Sequence, residues 1–73
     1  MSGGLQQWVV YGHPRDYREG YVVRQWEVGP ARVTPGQAQT APTLEAAREL
    51  VPAGLVRVPR APDDDPAIVE VWT

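Results

Sequence analysis

The sequence predicts a small α+β domain of two layers, with one short helix on a mainly antiparallel sheet of three to four strands, in the order β-β-α-β-β. Three observations lead there. Runs of β-branched and aromatic residues bounded by Gly and Pro read as strands, the strongest being 5–11 (LQQWVVY), 21–28 (YVVRQWEV) and 67–72 (AIVEVW). One segment, 43–51 (TLEAARELV), combines a helical apolar period with start and stop signals. Finally, 73 residues with seven Gly, eight Pro and no Cys leave room for one domain, without disulfides or long helices.

Taken in order, residues 1–4 (MSGG) are expected to be a flexible N-terminus, and 5–73 a single domain. The first strand runs to Tyr11 and is followed by a polar connection, 12–20, in which Pro14 presets a turn and Asp16 can bond nearby amides. The second strand, 21–28, ends at Gly29-Pro30. A Pro/Gly-rich loop is expected over 29–42, with at most a short extended piece around 31–34, because Pro35-Gly36 interrupts any strand. Thr43 is a good N-cap, Glu45 suits the first turn, and Pro52 stops the helix at or before Val51. Leu44, Ala47, Leu50 and Val51 make its apolar stripe, leaving Glu45, Arg48 and Glu49 toward water. Two turns are not stable alone, so the helix requires the sheet. Residues 55–58 (LVRV) read as a short strand before the final one.

Strand parity then divides the sheet into faces. The aliphatic row Ala67, Val69 and Val71 is the natural partner of the helix stripe, completed by Val9, Tyr11, Tyr21 and Val23. The opposite face would carry Trp8, Val10, Val22, Arg24, Trp26, Val28, Ile68, Glu70 and Trp72, which includes all three tryptophans. Arg24 and Glu70, each two positions from a Trp, are expected to pair across strands on that face. Two coverings are open for it: the 29–42 loop folded back as a second small core, or a binding partner.

The composition excludes several function classes. The net charge is −2 and the seven basic residues are all Arg, a coding preference that brings no general attraction to nucleic acid or anionic membrane. No apolar run is long enough to span a bilayer, and the first residues lack the pattern of a signal peptide, so a cytoplasmic protein is expected. With one His and no Cys, the usual zinc sites are not available. The run Asp63-Asp64-Asp65 lacks the spacing and glycine of a calcium loop and reads as a solvated turn near Arg57 or Arg60. No glycine-rich phosphate loop is present, and no cofactor is expected. His13 with Asp16 could form a base and its orienting carboxylate, but no recognisable nucleophile accompanies them, and a locally bonded turn is the preferred reading.

The segments HPRDYREGYVVRQWEV, TLEAAREL and LVRVPRAPDDDPAIVEVW together resemble a group of small bacterial and phage-type proteins to which no activity is assigned. The resemblance covers most of 11–72 apart from 29–40, and implies a free-standing domain without transferring any catalytic residue. The function expected from the residues is non-enzymatic: contact with another protein, or with a second copy of the chain, through Trp8, Val22, Arg24, Trp26, Ile68, Glu70 and Trp72. Single-stranded nucleic acid binding through the sheet aromatics is the alternative, and a small enzyme using His13 and Asp16 comes last.

Overall fold

Among the described residues, five runs become strands and one becomes a helix. In the computed structural model, which describes residues 5–15, 17–58 and 66–73, they are β1 (Leu5–Gly12), β2 (Tyr21–Val28), β3 (Val33–Ala41), α1 (Leu44–Glu49), β4 (Arg57–Val58) and β5 (Ile68–Trp72). The strands form one sheet in the order β3-β2-β1-β5-β4, with antiparallel neighbours throughout. The sheet therefore has five strands where three to four were expected. The N-terminal residues 1–4, Asp16 and the Asp63–Asp65 run lie outside the described residues.

The added strand is β3, which occupies the stretch expected to be a Pro/Gly-rich loop. It pairs with β2 along nearly its whole length, from Val28↔Val33 to Tyr21↔Ala41. Its proline and glycine are tolerated for a positional reason. β3 is an edge strand, so the missing N–H of Pro35 need not break a ladder on both sides. The register also shifts between Arg24 and Trp26, a bulge that absorbs the irregular Pro35-Gly36 step. At Gly36 a Cβ would come within 3.1 Å of the Gln25 carbonyl oxygen, so the backbones approach here as only glycine comfortably permits.

The helix begins as its sequence predicts. The Thr43 hydroxyl accepts a hydrogen bond from the Ala46 N–H at 3.1 Å, satisfying one of the free amides of the first turn. Ala47 is fully buried in a cluster with Val10, Val23 and Ala41, and Leu44, Leu50 and Val51 pack around it. The apolar stripe is thus the one read from the sequence.

The sheet face beneath that stripe is not the expected one. Opposed residues in an antiparallel pair share a face, and the register sets Val10 opposite both Val23 and Glu70, and Trp8 opposite both Gln25 and Trp72. Trp8, Val10, Glu70 and Trp72 therefore lie under the helix with Tyr21 and Val23. Val9 and Tyr11, expected in the core layer, pair with Arg24 and Val22 on the other side, and Val71 joins them opposite Val9. Side chains alternate within each strand as expected and β2 keeps its expected face, but β1 and β5 pair with it one residue out of the expected phase, which exchanges their two rows. A register shift between Val10 and Tyr11 adds a second effect: Ile68 is set opposite Tyr11, although it shares parity with Glu70.

A core of this size tolerates little. Ala47→Asp would bury a carboxylate against Val10 and Val23, at a cost above the roughly 3–5 kcal/mol that one small core supplies. Circular dichroism melts should show the variant unfolded at room temperature; a cooperative transition near that of the parent would place Ala47 on the wrong side of the helix.

Candidate interaction face

The two faces of the sheet have different chemistry. On the helix side the dominant polar group is Glu70, whose side chain is only 3 % exposed. Arg48 reaches it from α1: Nε donates to Oε1 at 3.1 Å and to Oε2 at 2.9 Å, and Nη2 also donates to Oε2. Arg57 Nη1 donates to Oε2 at 3.2 Å from β4, and Trp72 Nε1 donates to Oε1 at 3.1 Å. Among the described residues no buried side-chain polar atom lacks a partner. The hydrogen bonds from Arg48 hold the Glu70 carboxyl below its ordinary range, reinforced by Trp72 and Arg57 and opposed by burial.

This arrangement corrects the expected Arg24–Glu70 pair. The two residues are on opposite faces, and the partner of Glu70 is Arg48, expected to face water. Arg48 does remain 44 % exposed, so its stem lies along the surface while its guanidinium turns inward. No sequence spacing announces a pair 22 residues apart.

The helix-free face carries Leu5, Val9, Tyr11, Val22, Arg24, Trp26 and Val71 at its registered positions. Val9 is only 6 % exposed although it does not belong to the cluster under the helix; its cross-strand neighbours Arg24 and Val71 flank it. Arg24 lies over the Trp26 ring, 5.9 Å from its centroid, and its Nη1 donates to the Gly36 carbonyl at 3.3 Å. Pro35 of the edge strand stands opposite Trp26. At the margin, Leu5 and Val33 are 68 % and 54 % exposed. Of the residues expected on one interaction face, Val22, Arg24, Trp26 and Ile68 are together here, whereas Trp8, Glu70 and Trp72 are beneath the helix. Tyr11, Val9 and Val71 were missed as members because their strands were assigned the other phase.

His13, Pro14 and Arg15 border this face. His13 takes a left-handed backbone (φ 48°), its N–H donates to the Gly20 carbonyl at 2.8 Å, and its Nδ1 donates to the Arg18 carbonyl at 2.8 Å. Its ring contacts that of Tyr21, with centroids 5.0 Å apart. These bonds make His13 part of an ordered turn. A depression of about 520 Å³ lies beside it, lined by Tyr11, His13, Pro14, Arg15, Val22, Arg24, Pro66 and Ala67. Among the described residues, no three His, Asp or Glu side chains converge as metal ligands would, and no helix is long and apolar enough to cross a membrane.

In comparisons with protein-family models, curated proteins and solved structures, the chain matches none.

Because the carboxyl of Glu70 is lowered on folding, its contribution is complete above the unfolded value of about 4.3 and is lost as pH falls through the lower folded value. Thermal melts from pH 7 to pH 3 should show the parent losing stability below about pH 4.3. Glu70→Gln should cost roughly 1.5–3 kcal/mol at pH 7 and flatten that acid dependence. An acid profile identical in the two proteins would remove Glu70 from this role.

Proposed function

We propose that this protein is a non-catalytic, cytoplasmic interaction module that binds another protein through the helix-free face of its sheet, with Trp26 as the anchor. The observation carrying this reading is that the helix packs on one face, while the other sets half-buried Trp26 among Val9, Tyr11, Val22 and Val71, with exposed Leu5 and Val33 at its margin. Contiguous apolar surface of this kind marks contact sites, and Trp and Arg are the side chains most enriched at energetic centres of interfaces. The earlier possibility that residues 29–42 fold over this face loses its basis, since most of that segment extends the sheet as β3.

Two features weigh against single-stranded nucleic acid. Tyr11 and Trp26 are the aromatics of this face, and Trp26 is registered opposite Gln7, four residues along β1 from Tyr11. That is roughly 14 Å along a strand, too far to stack successive bases. The chain also has a net charge of −2, where such platforms combine aromatics with a positive groove. For the His13 reading, Nδ1 donates to the Arg18 carbonyl within the turn, which leaves Nε2 as the one ring nitrogen for any chemistry.

The reading separates two tryptophans that composition alone makes equivalent. Trp72→Ala removes packing and a hydrogen bond to Glu70, and should cost about 3–5 kcal/mol, close to the whole stability. Trp26→Ala should leave a cooperative urea transition while abolishing capture of peptides selected on the parent from a displayed random library. Sedimentation velocity of parent and variant shows whether a second copy is among the partners. Undiminished peptide capture by folded Trp26→Ala would refute the assignment of this face.

A further inference from the structure

Resting on that reading of the face, we propose that its partner presents a carboxylate beside an apolar side chain, and that Arg24, assisted by Arg15, receives it in the depression next to Tyr11. Arg24 stands in the middle of the face, directly opposite Val9 and over Trp26. Any protein that covers Trp26 must also take Arg24 out of water. A guanidinium desolvated without a counter-charge is costly, so the covering surface has to supply one.

Among the described residues, the domain does not. Glu70 is on the other face and bound to Arg48 and Arg57, and among the described residues no carboxylate is paired with Arg24 or Arg15. Among the described residues Arg24 uses one weak hydrogen bond, to the Gly36 carbonyl, which leaves most of the donors of its planar fork for a partner. The depression supplies the place for it. Tyr11, Val22 and Ala67 give an apolar lining, and Arg15 and Arg24 contribute its formal positive charges. A carboxylate fits such a fork with two parallel hydrogen bonds, and its stem or a neighbouring aliphatic group would rest on the apolar lining. Phosphate could satisfy one guanidinium, but a nucleic acid strand needs many cations along its path, and this face presents few.

The test is selection of random nine-residue peptides displayed against the parent protein, followed by synthesis of the recovered peptides and fluorescence anisotropy. The expected result is recovery of peptides carrying Asp or Glu next to a Leu, Ile or aromatic residue. Replacing that acid by its amide should weaken binding roughly tenfold or more, as should Arg24→Gln, with Arg15→Gln weakening it by a smaller factor. Urea melts confirm that each variant is folded; Arg15 is exposed in a loop, so Arg15→Gln keeps the test valid if Arg24→Gln does not fold. Peptides that require Trp26 but carry no acid, or that bind the folded arginine variants as tightly as the parent, would overturn the acidic partner while leaving the contact face standing. Peptides indifferent to Trp26→Ala, or no enrichment over a surface without protein, would overturn both. Oligothymidylate binding that depends on Trp26 and Arg24 and falls steeply with salt would replace the carboxylate with a phosphate backbone.

Discussion

The buried carboxylate of Glu70 is the constraint on which the remaining structure depends. It sits on β5, is reached from α1 by Arg48 and from β4 by Arg57, and is bonded within its own strand by Trp72. Those contacts tie the helix and the two-residue edge strand to a sheet whose fully buried aliphatic side chains are few. An uncompensated charge at this depth would be strongly destabilising, so the position is held only while its donors are in place. The cationic partners pay little for serving it, because both guanidinium side chains keep about half their surface in water.

Glu70 also fixes which side of the sheet is which. Once it lies under the helix, the antiparallel register carries Val10, Trp8 and Trp72 to the same side. Val9, Arg24 and Trp26 then have to appear on the other. A bulge between Val10 and Tyr11 lets Ile68 leave the row of Glu70 and stand opposite Tyr11. The two faces are therefore different in kind. One is closed by the helix and a satisfied polar network, and the other has two aromatics, a cation and a band of aliphatic side chains with no second layer among the described residues.

That asymmetry gives the proposed function its physical content. A domain with so small a core gains most from burial on the side where the helix docks, and the other face keeps Tyr11, Val22, Trp26 and Val71 only half-buried. Arg24 on that face sets the chemistry of any association, since covering it requires an opposing acceptor. His13, bonded to Gly20 and Arg18, forms with Pro14 and Arg15 one wall of the recess in which such an acceptor can be held.

Much of the local structure was legible in the amino-acid sequence. The strands at 5–11, 21–28 and 67–72, the helix with its Thr43 cap, and the stripe through Ala47 all follow from periodicity, capping and breaker residues. These are interactions between near neighbours in the chain, and their signals are local. The third strand was hidden because Pro35-Gly36 reads as a break; only the tertiary structure places it at a sheet edge, beside a bulge, where a proline is harmless. The assignment of Trp8, Glu70 and Trp72 to one face and of Trp26 and Arg24 to the other was equally beyond local reading. Each strand alone shows two alternating rows, and nothing within it says which row meets the helix. Pairing between strands decides that, because a one-residue change of register exchanges the two rows, and the Arg48–Glu70 contact closes across 22 residues only after the sheet and helix have met.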